Sequence, residues 1–387
     1  MPLFPGQRIY LDHAATTPLD PQVKAAMLPF LDEQFGNPSS LHYWGRQARK
    51  AMEQARECIA NCLNAKPSEV VFTSGATEAD NLALFGVAEA LLDSKKHLVT
   101  TQVEHAAVAN ACRRLEAQGW EVSWLPVDAE GFVSLEELQR AVRPDTALVS
   151  IIHGNNEIGT IQPIEQLGEF LKARGVLFHI DAVQTVGKLP LSLGDLPVDY
   201  LSLSAHKFYG PKGVGALYVR EGAPVPVPML MGGGQENNLR SGTENLAGIV
   251  GMAEALVLAT GIISTETPRL RALQNRFMED VLRAVPSAVL NGPMDVSLRV
   301  PGNVHFSFPP GAGEALVLHL DLKGIAASSG SACHSAVIEP SRIVKALGKA
   351  DDVARATVRF SMGRSTTEAE LDRVVGVLPE IVKRFQK

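Results

Sequence analysis

The sequence is poor in cysteine and aromatic residues, and it has no excess of basic residues. Its four cysteines in 387 residues include no C-x-x-C pair, which argues against a disulfide framework and fits a reducing compartment. A net charge of −6 gives no electrostatic footprint for nucleic acid or for an anionic membrane surface. No apolar run approaches the roughly 20 residues of a membrane span, and the N-terminus lacks a basic segment followed by an apolar one. We therefore expect a cytoplasmic protein that contacts neither nucleic acid nor membrane directly.

Short apolar segments of strand length alternate with segments of helical periodicity between residues 70 and 219. This alternation predicts crossover units and an α/β fold, with a mostly parallel seven-stranded sheet flanked by helices. One helix is predicted from about Asn245 to Ala259 and another from near Pro268, so we place a domain boundary near residue 260. The large domain would span 16–260. Residues 1–15 and 261–387 would form a smaller α+β domain.

Polar residues cluster directly after five of the predicted strands. The clusters are Ser74 to Thr77, Glu104 with His105, Asn155 to Glu157, Asp181 with Gln184, and Ser204, His206 and Lys207. Any one cluster is weak evidence, because strand ends are often polar. The carboxyl ends of parallel strands meet at one edge of a sheet, where such folds bind their ligands. Five clusters together therefore predict one ligand site.

Lys207 is the residue of this edge with the most distinctive setting. It lies between a strand end and a turn that contains Gly210, Pro211 and Gly213. A lone lysine is usually exposed on the surface. A lysine fixed at a ligand site can instead form a Schiff base with a carbonyl cofactor.

Each cluster has a physical role if the ligand is pyridoxal phosphate. Lys207 would form the imine, and the carboxylate of Asp181 would keep the pyridine nitrogen protonated, as an electron sink requires. Gln184 could donate to the phenolic oxygen, and His105 could lie over the ring and move protons. The helix that opens at Gly75-Ala76-Thr77 suits a phosphate through its free N–H groups and its dipole. Ser204 and His206 would add side-chain donors to that phosphate.

These motifs give the sequence a specific resemblance over nearly its whole length. It resembles the cysteine desulfurases, in the class-V aminotransferase-like group of fold-type I pyridoxal-phosphate enzymes. The motifs that carry the resemblance are Thr73-Ser-Gly-Ala-Thr-Glu78, Glu104-His105, Asn155-Asn-Glu-Ile-Gly159, Asp181-Ala-Val-Gln184, Ser204-Ala-His-Lys-Phe-Tyr-Gly-Pro-Lys-Gly213, Gly232-Gly-Gly-Gln-Glu236, Arg240-Ser-Gly-Thr-Glu-Asn245, Ser328-Ser-Gly-Ser-Ala-Cys333 and Val358-Arg-Phe-Ser-Met-Gly-Arg364.

The resemblance implies a role for each candidate residue. Lys207 would be the Schiff-base lysine, Cys333 the sulfur acceptor, and His105 the residue stacked on the cofactor. The cofactor would also contact Ala76, Thr77, Asn156, Asp181, Gln184, Ser204, His206 and, from the other subunit of a homodimer, Thr243. Asn156 and Arg359 would bind the substrate. Arg359 also lies opposite Val358 and Phe360 in strand alternation, and its guanidinium can bind a carboxylate bidentately.

The surroundings of Cys333 differ from those of the other cysteines. Cys58, Cys62 and Cys112 lie in helical patterns and are interpreted as packing residues. Cys333 instead ends the small, polar run Ser328-Ser-Gly-Ser-Ala, which is typical of a loop that can move. Its thiolate would attack the sulfur of cysteine, giving alanine and a persulfide for delivery to an acceptor protein, in iron–sulfur cluster assembly or tRNA thiolation. The thiol proton could be removed by the substrate amine or by a nearby base, for which His334 and His105 are both candidates.

Three alternatives remain open at this point. The segment Cys333-His-Ser335 resembles selenocysteine lyases of the same scaffold more than the Cys-Thr-Ser usual in desulfurases. An aminotransferase or another class-V lyase would keep Lys207 and Asp181 without needing Cys333. A non-catalytic binding protein would have no use for either Lys207 or Asp181.

Overall fold

The structure is a computed structural model that describes residues 8–92, 94–310, 313–329 and 340–385. Buried hydrophobic side chains form their largest cluster around one sheet, and a second large cluster surrounds the C-terminal part of the chain. Cys333 and His334 lie outside the described residues.

The large sheet has seven strands in the order β2-β8-β7-β6-β5-β3-β4. Their bounds are β2 Val70–Thr73, β3 His97–Thr101, β4 Glu121–Leu125, β5 Thr146–Ile152, β6 Leu177–Asp181, β7 Tyr200–Ser204 and β8 Gly215–Val219. Only β8 runs antiparallel to its neighbours, β2 and β7. The expectation of a mostly parallel seven-stranded sheet is confirmed.

Helices cover both faces of this sheet, so its strands are buried on both sides. The helices are α1 Pro21–Met27, α2 Tyr43–Cys62, α3 Ala76–Ala90, α4 Ala106–Ala117, α5 Leu135–Ala141 and α6 Ile164–Arg174. Successive residues of β2 show the arrangement, because Val70 and Phe72 join one hydrophobic cluster while Val71 joins the other. Every residue of β5 is buried. A strand buried on both faces in this way shows no alternation of apolar and polar residues.

The remaining elements form a smaller α+β unit. Three antiparallel strands in the order β12-β10-β9 and a parallel pair, β1 with β11, make up its sheets. The strands are β1 Ile9–Tyr10, β9 Val289–Asn291, β10 Asn303–Ser307, β11 Ile325–Ala326 and β12 Thr357–Ser361. Its helices are α8 Gly313–Leu322, α9 Arg342–Ala346, α10 Asp351–Arg355 and α11 Glu368–Lys383. The pairing of β1 with β11 attaches the N-terminal strand to this unit.

A single helix, α7 (Leu246–Ala284), links the two units. The prediction of two separate helices here was wrong, since Pro268 lies inside the helix rather than before a new one. A proline costs an interior helix hydrogen bond, but α7 buries Met252 in the first hydrophobic cluster and Phe277 in the second. The domain boundary near residue 260 would fall within α7, and it remains a prediction.

Helix α7 also has the length and apolar composition of a possible membrane span. More than half of its most apolar 18-residue stretch is buried inside the protein. Burial of this kind is what a core helix shows, so the composition is explained by packing against α1 and α2.

The cysteines predicted to pack in helices divide into three environments. Cys112 is fully buried, Cys62 is half-buried and Cys58 is exposed on α2. The prediction for Cys58 was wrong because the buried stripe of α2 passes through Ala55 and Ile59, and Cys58 lies beside that stripe.

Arg299 links the two units through carbonyl groups. Its side chain is fully buried and donates to the carbonyl oxygens of Pro293 (2.9 Å), Ile158 (2.5 Å) and Asn291 (2.8 Å). Ile158 belongs to the loop after β5, which also carries Asn156. Arg299 thereby holds a loop of the large sheet against the smaller unit.

We expect Arg299→Ala to lower the free energy of unfolding by about 3 kcal/mol or more, because three buried carbonyl oxygens lose their donor. Urea unfolding measures the change. Arg283→Ala is the control, since that side chain is 73% exposed and its loss should stay within about 0.5 kcal/mol. Equal unfolding midpoints for the two variants would show that Arg299 does not stabilise the contact.

Candidate active site

A cavity of about 1000 Å³ opens at the carboxyl-terminal edge of the large sheet. Its walls bring together all the predicted site residues that the structure describes, except Thr243. Those residues are Ala76, Thr77, His105, Asn156, Asp181, Gln184, Ser204, His206, Lys207 and Arg359. The common cause is topology, since β3, β5, β6 and β7 are parallel and end at this edge.

Lys207 lies in a 3-10 turn that directly follows β7. Its Nζ donates to the carbonyl oxygens of Ala14 and Ala15, at 2.7 Å each. Burial, reinforced by the positive charge of Arg359, lowers the pKa of Lys207 to about 8. A substantial fraction of this amine is therefore neutral, and nucleophilic, near physiological pH.

Asp181 is the last residue of β6 and is 3% exposed. Its Oδ1 accepts a hydrogen bond from the backbone N–H of Val183 at 3.0 Å. Burial raises the pKa of Asp181, while the charges of His105 and Lys207 oppose that rise. The protonated amine of Lys207 therefore favours an ionised Asp181.

Residues 12–17 form an N-terminal arm that contributes to the cavity. Ala14, Ala15 and Thr16 line it, and the carbonyl oxygen of Ala14 also accepts a hydrogen bond from Gln184 Nε2 at 2.9 Å. Thr16 Oγ1 lies 3.2 Å from Nδ1 of His206. Sequence reasoning assigned residues 1–15 to the smaller unit and missed the contacts of this segment with the site. The small residues Ala14 and Ala15 were the available signal, since they allow backbone to approach closely.

The N-terminus of α3 faces the same cavity. Gly75 precedes it with a φ of 155°, and the helix has no side-chain cap on its first N–H groups. Gly215 packs so closely that a Cβ there would lie 2.8 Å from Gly75 Cα. Backbone amides of Ala76 and Thr77 can consequently bind an anion next to Ser204.

His105 caps α4 and is open to the cavity. Its Nδ1 accepts a hydrogen bond from the N–H of Ala107 at 3.2 Å, so the neutral ring carries its proton on Nε2. Partial burial lowers the pKa of His105, and the charge of Asp181 acts against that shift.

Arg359, on β12, projects from the smaller unit into the cavity. Its side chain is 8% exposed, and its nitrogens donate to the carbonyl oxygen of Asn156 and to Asp12 Oδ1, both at 2.8 Å. The side-chain Oδ1 of Asn156 is buried, and the part of the chain that the structure describes offers it no hydrogen-bond partner. This end of the cavity can bind a carboxylate through Arg359, with Asp12 as the group that such a carboxylate would replace.

Thr243 and Cys333 are absent from this list for different reasons. Thr243 is exposed and does not line the cavity of its own chain. Cys333 lies outside the described residues, but Ser328 and Ser329 before it and Pro340 and Ser341 after it all line the cavity. Sequence reasoning also missed Asp12 and Asp80, and it did not predict that the side chain of Glu104 is fully buried.

The fold is that of a known family. The family described as Aminotransferase class-V matches residues 9–374, and the chain belongs to it. Among its relatives is the protein named "Cysteine desulfurase IscS" of Dictyoglomus turgidum, which is 49% identical over 98% of this chain and 96% of the relative. A namesake from Methanosarcina thermophila is 46% identical over 98% of this chain and 93% of its own. These relatives place the chain among the cysteine desulfurases of that family.

Solved structures agree with this assignment. A "NIFS-like protein" superposes with a TM-score of 0.91 at 40% identity and covers 98% of this chain and all of its own. A structure described as "SspA in complex with cysteine" has a TM-score of 0.81 at 38% identity, covering 92% of this chain and 99% of its own. The expected fold and family are confirmed.

The depressed pKa of Lys207 can be tested without any ligand. Competitive acylation of the full-length protein at a series of pH values, followed by peptide mass spectrometry, should show Lys207 labelling that rises through a pH of about 8. N-acetyl-lysine in the same reaction serves as the reference, since an unperturbed lysine titrates at about 10.4. Identical pH profiles for Lys207 and the reference would contradict the proposed environment of the amine.

Proposed function

We propose that the protein is a pyridoxal-phosphate-dependent cysteine desulfurase that converts L-cysteine to L-alanine and takes the sulfur onto Cys333 as a persulfide. The observation that carries the proposal is the pairing of Lys207 and Asp181 in one cavity whose rim is formed by residues on both sides of Cys333. The desulfurase relatives support the same reaction class.

The groups around the cavity match the chemistry of pyridoxal phosphate. Lys207 offers a partly neutral amine for the carbonyl carbon, and Asp181 offers a carboxylate for the ring nitrogen. The uncapped N-terminus of α3, with Ser204 and His206, suits the phosphate. When bound, this cofactor supplies an electron sink for the charge that develops at the substrate Cα.

The protein's own residues bind and orient the substrate. Arg359 would pair with the α-carboxylate in place of Asp12. Asn156 would contact the substrate through its side-chain amide, whose Oδ1 is an acceptor without a partner among the described residues. Lys207, whose pKa of about 8 lies close to physiological pH, is suited to carry a proton to and from Cα. His105, with its proton on Nε2, would lie over the cofactor ring and donate or accept at that face.

Sulfur transfer would be the task of Cys333. Its thiolate attacks the sulfur of the bound cysteine, a new S–S bond forms, and the Cβ–S bond breaks. The electron pair of that bond remains on carbon, which takes up a proton to give alanine. His105 and His334 remain the candidates for the base that prepares the thiolate.

The proposal also covers the oligomeric state, the sulfur acceptor and the compartment of the protein. Thr243, exposed and outside its own cavity, would contact the phosphate bound by a second subunit in a homodimer. The persulfide would be passed to an acceptor protein in iron–sulfur cluster assembly or to a sulfur carrier for tRNA thiolation. The compartment would be the cytoplasm, where reduced cysteines are stable.

Incubation of the cofactor-loaded protein with L-cysteine should add one sulfur atom to the peptide that contains Cys333. Intact-peptide mass spectrometry under non-reducing conditions detects the shift, and alanine release follows in the same sample. Cys333→Ser should remove both the shift and most of the turnover. Cys58→Ser is a matched control, because Cys58 is an exposed thiol outside the cavity. Sulfur found on Cys58 alone, or alanine formed at the normal rate by Cys333→Ser, would contradict the assigned acceptor.

Arg359→Lys should raise the KM for cysteine by about tenfold or more and leave the visible spectrum of the bound cofactor unchanged. Lysine keeps the charge but loses the two-pronged geometry that a carboxylate requires. Steady-state kinetics of alanine formation measure the effect. Arg355→Lys, on the exposed end of α10, is the control. An unchanged KM in Arg359→Lys would exclude the guanidinium as the carboxylate site.

A further inference from the structure

Asp80 is a buried carboxyl group beneath the cavity that the proposed reaction does not yet use. It lies in the first two turns of α3, is 1% exposed and lines the cavity. Neither of its carboxyl oxygens makes a hydrogen bond of normal geometry among the described residues, and the hydroxyl of Ser202 is the nearby group that could donate one. An ionised carboxylate without partners is very costly to bury, so the protonation state of Asp80 has to be explained.

The nearest titratable groups include a second buried carboxylate. Ligand atoms of Asp80, Asp181 and His105 all lie within 4.8 Å of one another. Two carboxylates at this separation in a dry site do not both ionise easily, because like charges repel and neither is well hydrated. One of the two is therefore expected to carry a proton.

His179 does not supply a positive charge that would keep Asp80 ionised. Its Nε2 lies 3.6 Å from Asp80 Oδ1, but its two ring nitrogens already contact the hydroxyls of Ser150 (2.8 Å) and Ser202 (3.0 Å). Burial lowers the pKa of His179 to about 3, so the ring is neutral under ordinary conditions.

The remaining charges favour ionisation of Asp181 over that of Asp80. Asp181 accepts a backbone hydrogen bond and lies near the amine of Lys207, whose positive charge lowers the pKa of Asp181. Asp80 has no such support: burial raises its pKa well above the usual value, and the charges of Asp181 and Glu104 raise it further. The hydroxyl of Ser202 opposes this rise only in part.

We propose that Asp80 is a positioning residue that keeps a proton and so leaves Asp181 as the one negative charge available to the cofactor's ring nitrogen. Rotation of its unpartnered carboxyl group would aim the O–H at Asp181 and hold that carboxylate in place. The part of this proposal that concerns the ring nitrogen rests on the proposed function. The protonation of Asp80 is a property of the protein alone.

Unfolding of the full-length protein without added cofactor tests the protonation. A group whose pKa is raised in the folded state stabilises it most below the unfolded pKa, which is about 3.9 for Asp, and this stabilisation is lost as the pH rises. Asp80→Asn removes that dependence. The urea midpoint of Asp80→Asn should therefore increase relative to that of the unmodified protein as the pH rises from 4 to 8. A difference that moves in the opposite direction would show that Asp80 is ionised, and would overturn the proposal.

Cofactor binding tests the positioning. Asn can still donate a hydrogen bond to Asp181, whereas Leu has a similar volume and no donor. Asp80→Asn should keep the affinity for pyridoxal phosphate and the pH dependence of its visible absorbance. Asp80→Leu should weaken affinity by roughly tenfold or more, since a hydrogen bond to a charged group is lost, and should shift the pH at which the absorbance changes.

Asp199→Asn controls for a merely structural effect. Asp199 is another partly buried carboxylate with a raised pKa, and it accepts a hydrogen bond from the N–H of Phe178 outside the cavity. Its replacement should alter stability and leave the cofactor spectrum unchanged. Equal cofactor affinity and spectra in Asp80→Leu and Asp80→Asn would overturn the positioning role. Absence of cofactor binding by the unmodified protein would instead count against the proposed function, and the unfolding experiment would still decide the state of Asp80.

Discussion

The burial of the Lys207 amine next to Asp181 is the constraint on which the site depends. A cation removed from water loses hydration. Two carbonyl oxygens from the N-terminal arm and a nearby carboxylate replace part of that stabilisation. The incomplete compensation is what lowers the pKa of Lys207. A better solvated lysine would be more stable and less reactive, so the reactivity is obtained at a cost in local stability.

The parallel sheet makes this arrangement possible. Strands β5, β6 and β7 end side by side at Ile152, Asp181 and Ser204, and the residues that follow these distant chain positions become neighbours. The strands themselves were predictable, because each is a short apolar run between helices. The clustering of Asp181, Gln184 and Lys207 at one edge was also predictable, since it needs only the parallel orientation and not the strand order.

Other parts of the site could not be predicted from local sequence. The ion pair between Asp12 and Arg359 joins residues 347 apart, and no periodicity near either residue indicates it. Asp80 follows the helix start by a few residues, where an acidic residue is ordinary and usually exposed; only the packing of α3 on β6 and β7 buries it. Local propensity predicts two helices instead of α7, with the second starting near Pro268. It takes no account of the two hydrophobic clusters that hold both halves of the helix.

The N-terminal arm gives these separate groups a common explanation. Its carbonyl oxygens at Ala14 and Ala15 satisfy Lys207 and Gln184, while Asp12 satisfies Arg359. The arm thus provides oxygen acceptors to the same donors that a cofactor and an amino-acid carboxylate would engage. Binding would then exchange one set of acceptors for another. An exchange of this kind would give the arm a role in ligand binding that its irregular sequence does not reveal.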